Sequence, residues 1–475
     1  MNRLNANILE SFRPIDEVKV DALLEKEIAS DPHKLVVLDD DPTGVQTVHG
    51  VSVYTNWTIE AIRAGFAEAN KVFYILTNSR GMTAKETAAV HREIAATVAQ
   101  VSRETGKPYL FMSRSDSTLR GHYPLEPQLL REGMEQAGVR VDGEILTPFF
   151  QEGGRYTIGN IHYVRQGDEL VPAADTEFAK DKTFGYTQSS IPAYIEEKTE
   201  GAYKAADVTC ISLDDLRAQN YDEIEAQLLA VKDFNKVCVN AVDYVDIKVF
   251  SIALYRAMAK GRTFMFRTAA GLVKVMGGIA DQPLLTRRDM VVAETQNGGI
   301  VVVGSHTQKT TAQLNELLSL DGVVPIEFDS NKVLDGDDAF DAEVDRCVAE
   351  EEKAIKAGKT AVCFTNRKLL TLDNDTKESA LLRSIKISDG VQRLVGRLGV
   401  TPAFVIAKGG ITSSDIGTKA LRVKRATVMG QIRPGIPVWQ TGDESRFPNT
   451  PYVIFPGNVG SESDLRTAVE VLMKQ

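Results

Sequence analysis

Short apolar runs alternate with amphipathic helical patterns along the chain, and this alternation constrains the fold more than any other feature. In the first half, the runs with the length and β-branched content of buried strands are residues 34–38, 71–77, 109–113, 143–147, 208–212 and 236–239. Residues 83–101 and 125–136 carry apolar side chains at helical spacing. Alternating strands and helices are typical of an α/β protein with a mostly parallel sheet.

A second alternation begins after a polar stretch that ends at Gly298 and Gly299. Its strand-like runs are residues 300–303, 360–364, 403–407 and 452–455. A chain of 475 residues is long for one hydrophobic core, since cores seldom grow beyond about 250–300 residues. We therefore predict two domains, residues 1–285 and 286–475, each a mostly parallel sheet flanked by helices, with a cleft between them.

The composition excludes several classes of function. With 43% hydrophobic and 25% charged residues, it is typical of a soluble globular protein. The net charge of −10 argues against nucleic acid or an anionic membrane as the main partner. No apolar run reaches membrane-spanning length, the N-terminus lacks a signal-peptide pattern, and the four cysteines have neither disulfide nor zinc spacing. We expect a cytoplasmic location.

The strand-like run Leu35–Leu38 ends directly at three carboxylates, Asp39, Asp40 and Asp41, followed by a Pro-Thr-Gly turn. In open parallel sheets, ligands bind just beyond the carboxyl ends of the strands. Because adjacent carboxylates repel one another, burying them would require a cation, hydroxyl donors or arginine partners. The triplet therefore indicates either a ligand site or a solvated acidic turn that caps the next helix.

Three further strand-like runs of the first half end in hydroxyl groups and arginines. The residues that follow them include Ser79, Arg80, Arg114, Asp116, Ser117, Arg120 and Arg155. Arginine can bind a carboxylate through two parallel hydrogen bonds, while aspartate and serine bond hydroxyl groups, so this pattern favours a hydroxylated acid as ligand. For Arg120 the alternative is an ion pair with Asp116 or Glu126 that only shapes the loop.

The second half ends several strand-like runs in glycine turns. The residues at these turns include Ser305, Gly409, Gly410, Ile411, Thr412 and Gly457. Such turns leave backbone N–H groups free to bind phosphate and let the main chain approach a ligand closely. The chain has neither a Walker A loop nor a G-x-G-x-x-G segment, which argues against a standard dinucleotide site.

Taken in order, these blocks resemble the four-carbon acid sugar kinase family, formerly a family of unknown function. The matching blocks are 40–44 (D-D-P-T-G), 79–80 (S-R), 116–121 (D-S-T-L-R-G), 148–155, 304–305 (G-S), 409–413 (G-G-I-T-S) and 457–460 (G-N-V-G). They extend over nearly the whole chain. Departures are His122 for the family's Asn, Ile411 for its usual acidic residue, and Phe455-Pro456 where the family often has Lys-Ser.

The resemblance implies an ATP- and Mg²⁺-dependent kinase that phosphorylates a hydroxyl group of a four-carbon sugar acid such as threonate, erythronate or a 3-oxo-tetronate. It implies that the first domain binds the acid and the second binds the nucleotide through Ser305, Gly409, Gly410, Ile411, Thr412 and Gly457. Asp40 and Asp41 are the expected catalytic residues, because phosphoryl transfer needs a group that orients or deprotonates the attacking hydroxyl, or helps to hold Mg²⁺ through water.

Two other classes of function stay open: a sugar-acid lyase or dehydratase that uses no nucleotide, and a non-catalytic protein that binds an acidic metabolite. The chain has no H-E-x-x-H or similar ligand spacing, so we expect no protein-bound transition metal. A homodimer is left open.

Overall fold

The computed structural model describes residues 2–292, 295–368, 370–372, 375–457 and 459–473. It divides into two compact units, the first formed by residues 1–48 and 56–281 and the second by residues 49–55 and 282–475. Each unit is described by itself below.

The strands, in chain order, are β1 (Leu4–Asn5), β2 (Lys34–Asp39), β3 (Ser52–Tyr54), β4 (Val72–Leu76), β5 (Tyr109–Arg114), β6 (Gly143–Thr147), β7 (Arg155–Ile158), β8 (Ile161–Gln166), β9 (Glu169–Pro172), β10 (Thr209–Ile211), β11 (Asn235–Val239), β12 (Phe264–Thr268), β13 (Ile300–Val303), β14 (Val323–Phe328), β15 (Thr360–Thr365), β16 (Val405–Lys408), β17 (Arg425–Arg433), β18 (Ile436–Thr441) and β19 (Pro451–Phe455). Every strand-like run predicted from the sequence forms one of these strands.

The α-helices are α1 (Glu17–Ser30), α2 (Ile59–Ala67), α3 (Ala84–Thr105), α4 (Leu125–Gln136), α5 (Ile191–Lys198), α6 (Leu213–Ala218), α7 (Tyr221–Ala230), α8 (Tyr244–Ala259), α9 (Ala270–Met276), α10 (Arg287–Met290), α11 (Gln308–Leu318), α12 (Asp337–Lys356), α13 (Lys377–Gly396), α14 (Gly410–Asp415) and α15 (Asp464–Leu472). No helix within the described ranges is long and apolar enough to cross a membrane.

The first unit is built on a parallel sheet with the strand order β10-β11-β6-β12-β5-β2-β4. All six residues of β2 are buried, as expected for a parallel strand covered by helices on both faces. Along the chain β2 is followed by β4 on one side and then by β5 on the other, so the direction of strand order reverses between β2 and β5. A small antiparallel sheet, β1-β9-β8-β7, completes the unit.

Local signals in the sequence fix the helices that cover this sheet. The helix α3 begins after Thr83, whose side chain and that of Glu86 form a reciprocal capping box. It ends at Gly106, which adopts the left-handed conformation with φ of 67°.

The second unit contains the parallel strands β19-β16-β13-β15-β14, extended beyond β19 by the antiparallel strands β18, β17 and β3. Its strand order reverses between β13 and β16, because β14 and β15 lie on one side of β13 and β16 on the other. The buried side chains of this unit include Val301, Leu314, Ile406, Val453 and Leu465, drawn from strands and helices alike. The prediction of two α/β domains with mostly parallel sheets is confirmed.

A buried ion pair in the first unit provides a test of this packing. Nζ of Lys236 lies 2.5 Å from Oε2 of Glu144, its register partner on the neighbouring strand, and both side chains are almost fully buried. Lys236→Met should lower the free energy of unfolding by about 3–5 kcal/mol, because Glu144 would be left as an unpaired buried charge. Denaturant unfolding measures the loss.

The same substitution at the exposed Lys232 serves as the control and should leave stability unchanged. Adding Glu144→Met to Lys236→Met should recover most of the loss, since two apolar side chains carry no desolvation penalty. Wild-type stability in the Lys236 single variant would show that the pair is not buried as described.

Candidate functional site

In the first unit, the carboxyl ends of β4, β2, β5 and β12 bring polar side chains to one edge of the sheet. The reversal of strand order between β2 and β5 lies in the middle of this edge. Ligands of open α/β sheets bind at such reversals.

The first ion pair at this edge joins Asp39 and Arg114, register partners at the ends of β2 and β5. Nη1 of Arg114 donates to Oδ1 of Asp39 at 3.0 Å. Gly44 packs so closely that a Cβ atom there would lie 1.9 Å from Oδ2 of Asp39. Burial raises the pKa of Asp39 to about 7; Arg114 opposes the rise, and the other two carboxylates of the triplet add to it.

Asp40 is held by charged and hydroxyl partners. Arg80 donates to it through Nη2 at 2.7 Å and Nε at 3.3 Å, and the hydroxyl of Ser115 donates to its Oδ2 at 2.5 Å. Burial acts to raise the pKa of Asp40, but the charge and hydrogen bonds of Arg80, together with Arg114, hold it below its usual value. Asp41 lies 3.1 Å from Nη1 of Arg80, and its side chain, 14% exposed, is the most accessible of the triplet.

A second buried carboxylate, Glu126 on α4, lies behind these residues and is 2% exposed. It accepts hydrogen bonds from the hydroxyl of Ser79 and from Nη1 of Arg267. Arg267 also donates to Ser113 at 2.9 Å and, through Nη2, to Ser115 at 2.8 Å. Arg267 therefore links Glu126 to the serine that bonds the acidic triplet.

The loop after β5 is packed tightly against this network. A Cβ atom on Gly121, which has φ of +119°, would lie 2.4 Å from Oγ of Ser115 and 2.7 Å from Nη2 of Arg267. The next residue, His122, lies with Nε2 3.0 Å from the carbonyl oxygen of Ser79, and so connects the loops after β4 and β5.

Arg120 forms an ion pair within the same loop. Its Nε donates to Oδ2 of Asp116 at 2.6 Å, and its Nη1 lies 3.8 Å from Oδ2 of Asp181. Although burial acts to raise the pKa of Asp116, the charges of Arg120 and Arg80 hold it well below its usual value. The sequence analysis named such an ion pair, with Asp116 or Glu126, as the alternative to ligand binding by Arg120.

Arg155 differs from the other arginines at this edge. Its buried Nε has no hydrogen-bond partner within the described ranges, and its guanidinium lies 5.8 Å from the ring centre of Phe178. The ring of Phe178 is also 5.0 Å from the guanidinium carbon of Arg120. Burial lowers the pKa of Arg155, although the nearby charge of Asp116 opposes this; the guanidinium stays protonated, and burial makes its charge costly.

A small pocket opens among these groups. Its lining consists of Ser115, Asp116, Leu119, Leu146, Pro148, Tyr194, Arg267 and Thr268. Ser117 lies on the same loop, and its carbonyl accepts a hydrogen bond from Nε2 of the buried His162 at 2.7 Å. The structure thus gathers the polar residues predicted from separate strand ends at one edge of the first unit.

The second unit has a pocket of about 540 Å³ at its own reversal of strand order, between β13 and β16. All six residues predicted to contact a nucleotide line it: Ser305, Gly409, Gly410, Ile411, Thr412 and Gly457. Side chains of α13 between residues 380 and 391 form another wall of the pocket. The volume lies within the range of small-molecule sites, about 300–1,000 Å³. Asn458, part of the last glycine block, lies outside the described residues.

The glycines of this pocket are required by close approach. A Cβ atom on Gly304 would lie 2.3 Å from Oγ1 of Thr412, so the turns after β13 and β16 could not meet with a larger residue there. Gly409 has φ of +119°, a conformation that side chains rarely tolerate.

A buried lysine lies beside the same turns. Lys408 ends β16, and its Nζ donates to the carbonyl oxygens of Pro456 at 2.5 Å and Gly457 at 3.3 Å. Burial, together with the charge of Lys309, lowers the pKa of Lys408 to about 7.

An arginine follows the neighbouring strand β15. Nη2 of Arg367 donates to the carbonyl oxygen of Ser305 and, at 3.0 Å, to Oγ1 of Thr311. Its Nη1 is buried and lacks a hydrogen-bond partner in the described part of the chain. Burial lowers the pKa of Arg367.

Sequence reasoning missed four charged residues of these two regions. Arg267 could have been recognised from the sequence, because it directly follows the apolar run Phe264–Phe266, and the other site arginines also follow apolar runs. Lys408, directly before the glycine pair, had a weaker signal. Glu126 and Arg367 had none, because nothing in the order of residues shows that they face a site.

Two family models match the chain. Residues 35–276 match a model described as a sugar-binding N-terminal domain, and residues 300–465 match one described as a nucleotide-binding C-terminal domain. No curated protein matches the chain.

Two of the solved structures that match the chain share its fold at low sequence identity. A Haemophilus influenzae protein of a family of unknown function is 16% identical with a TM-score of 0.58, and the match covers 92% of this chain and 100% of that one. A Salmonella typhimurium protein described as a putative tRNA synthase is 16% identical with a TM-score of 0.64, covering 91% and 98%. A domain of unknown function from Bordetella bronchiseptica, a domain-swapped dimer with bound citrate, is 21% identical with a TM-score of 0.38, covering 92% and 98%.

The raised pKa of Asp39 predicts a pH dependence of stability. Because its pKa is about 7 in the folded state, against 3.8 for an ordinary aspartate, the folded state binds the proton more tightly. The contribution of Asp39 to the free energy of unfolding should therefore fall as pH rises from about 4 to about 7, by at most about 1.4 kcal/mol per pH unit. Chemical denaturation of wild type and Asp39→Asn in metal-free buffer measures it.

Asp39→Asn should gain stability relative to wild type across this window, since the amide does not titrate. Asp168→Asn, at an exposed position, is the control. The difference in the free energy of unfolding between this variant and wild type should not change with pH. A difference between wild type and Asp39→Asn that does not change with pH would contradict the burial of a protonatable Asp39.

Proposed function

Because this chain belongs to the four-carbon acid sugar kinase family, with its sugar-binding and nucleotide-binding domains, we propose that it transfers the terminal phosphoryl group of ATP to a hydroxyl group of a four-carbon sugar acid. The observation that carries the proposal is the glycine-lined pocket of the second unit, since all six residues expected to bind a nucleotide line it. Threonate, erythronate and 3-oxo-tetronates are the substrates to test first.

In this proposal the strand ends of the first unit bind the sugar acid. Arg155 binds the carboxylate, because its buried Nε has no hydrogen-bond partner in the described ranges and Asp116, the nearby negative charge, is already paired with Arg120. Ser79, Arg80, Arg114 and Ser117 complete the polar surroundings of the ligand.

Asp40 and Asp41 orient the attacking hydroxyl group in this proposal, and one of them receives its proton as the phosphoryl group is transferred. The lowered pKa of Asp40 keeps it ionised and able to accept a hydrogen bond. Positioning and electrostatic stabilisation supply most of the catalysis in phosphoryl transfer, so a strong base is not required.

Mg²⁺ would enter with the nucleotide. The described residues hold no cluster of three or more His, Cys, Asp or Glu side chains suited to a metal ion. This fits the usual behaviour of Mg²⁺, which keeps several waters and binds substrate phosphates with one or two carboxylates. Asp41, the most accessible of the triplet, is the carboxylate that could meet its hydration shell. When bound, the ion neutralises charge on the phosphates.

A thermal-shift comparison separates the proposed kinase from the other two classes of function. A kinase should be stabilised by ATP or ADP with Mg²⁺ and also by a sugar acid. A lyase or a metabolite-binding protein should respond to the acid alone. Product formation with ATP, Mg²⁺ and each sugar acid then identifies the substrate.

Replacing both Asp40 and Asp41 by Asn should lower kcat by at least about a hundredfold, because the attacking hydroxyl would lose its proton acceptor. A coupled ADP-release assay measures kcat. The adjacent, exposed pair Asp337 and Asp338 on α12, changed in the same way, is the matched control and should keep full activity. Near-normal kcat in the first double variant would remove these residues from the mechanism.

Arg155→Lys should raise the KM for the sugar acid roughly ten- to a hundredfold, because the ammonium group cannot reproduce the paired hydrogen bonds of a guanidinium. The KM for ATP should stay unchanged. Arg165→Lys, an exposed position on β8, provides the control. If Arg120→Lys raises the KM for the acid and Arg155→Lys does not, the carboxylate binds Arg120 instead.

A further inference from the structure

Two cations lie at neighbouring strand ends of the second unit, on either side of Ser305. Lys408 ends β16 and Arg367 follows β15, and both strands are hydrogen-bonded to β13, whose following turn carries Ser305. Arg367 contacts the turn directly through the Ser305 carbonyl. Lys408 donates to the carbonyl of Gly457, which lines the same pocket.

Neither cation has a carboxylate partner within the ranges that the structure describes. The hydrogen-bond partners of Lys408 are two backbone carbonyls, and those of Arg367 are a carbonyl and a hydroxyl. One guanidinium nitrogen of Arg367 is buried without any partner. The other group near Lys408 is itself a cation, Lys309, which disfavours charge there further.

Buried cations without counter-ions are costly, and proteins usually pair them. This protein carries a net charge of −10, yet Asp375, the carboxylate among the described residues that line this pocket, is paired with Arg383 and with neither of these two cations. An arrangement of this kind favours a ligand that brings several negative charges of its own.

We propose that Lys408 and Arg367, which contact the lining residues Gly457 and Ser305, attract the phosphate groups of ATP to this end of the pocket, whereas Arg383, which lines the pocket itself, is already paired with Asp375. The proposal rests on the proposed function for the identity of the nucleotide. It adds two residues to those expected to bind the nucleotide. It assigns the phosphates to the glycine end of the pocket. The apolar part of the ligand is assigned to the α13 wall, which contains Ile387 and Val391.

The two cations act in different ways. Arg367 is half-buried, and its Nη1, which is buried without a partner in the described ranges, is the group that would donate to a phosphate oxygen. Lys408 is fully enclosed and acts through its charge and through the carbonyls of the 456–457 turn that it holds. Because burial keeps the pKa of Lys408 near neutrality, an incoming polyanion should draw a proton onto it.

The test is calorimetric titration of the full chain with ATP, ADP and AMP, without sugar acid or Mg²⁺. Lys408→Met and Arg367→Gln should each weaken ATP binding roughly ten- to a hundredfold and AMP binding much less, because the loss grows with ligand charge. The matched control is Lys419→Met, which removes a 55% exposed lysine of the same unit and should bind ATP normally.

Proton uptake provides a second readout that a purely structural role would not change. Titrations at pH 7.5 in two buffers of different ionisation enthalpy should show uptake by the wild type on binding ATP, and less uptake by Lys408→Met. The other ionisable groups among the described lining residues are His306, whose pKa is lowered by burial and by Arg367, and the paired Asp375 and Arg383. All three are present in both proteins, as is Lys309 near Lys408. The difference between the two proteins therefore belongs to Lys408.

Wild-type ATP affinity in both variants would overturn the proposal. An equal loss for ATP and AMP, accompanied by a lower melting temperature, would also overturn it, since it would show a structural role. Lys408→Met also loses the hydrogen bonds to the carbonyls of Pro456 and Gly457, so a somewhat lower melting temperature fits either role and the difference between ATP and AMP decides between them. Failure of the wild type to phosphorylate any sugar acid while still binding ATP would refute the proposed function and leave this inference standing.

Discussion

The first unit depends on neutralising the consecutive carboxylates at the end of β2. Buried carboxylates would repel one another, and guanidinium groups from neighbouring strand ends offset this repulsion. Arg114 reaches Asp39 from β5, and Arg80 reaches Asp40 from the loop after β4. The close packing at Gly44 and Gly121 follows from this constraint, since a methyl group at either position would collide with the charged network.

The sequence allowed β2, β4 and β5 and the polar residues that follow them to be predicted, because each of these apolar runs ends in a polar cluster. β12 and its Arg267 were not predicted. The pairing of those residues could not be predicted, since it depends on strand order. β12 inserts between β6 and β5, although it lies far along the chain from both, and this brings Arg267 onto Ser115 and Glu126. Only the fold distinguishes a paired Arg120 from an unpaired Arg155.

The second unit shows the same limits of prediction in its sheet. Four of its parallel strands were predicted from apolar runs, but β14, whose run is interrupted by Pro325 and Glu327, was not. β3 has only three residues and joins the sheet by pairing with β17. β17 alternates between buried and more exposed residues, which is the pattern of an antiparallel strand with one open face. A three-residue strand has too little periodicity to be assigned, so the membership of residues 49–55 in this unit required the structure.

Lys408 illustrates how a departure from a family motif can be understood once the register is known. The family often has lysine at the position of Phe455, and here Lys408 is the register partner of Phe455 on the adjacent strand. Its ammonium group lies 4.2 Å from the centre of the Phe455 ring and bonds the carbonyls of the following turn. A positive charge therefore reaches the same turn from a different strand. Charge at a site is a property of the folded surface, so a motif can lose its lysine while the turn keeps a cation.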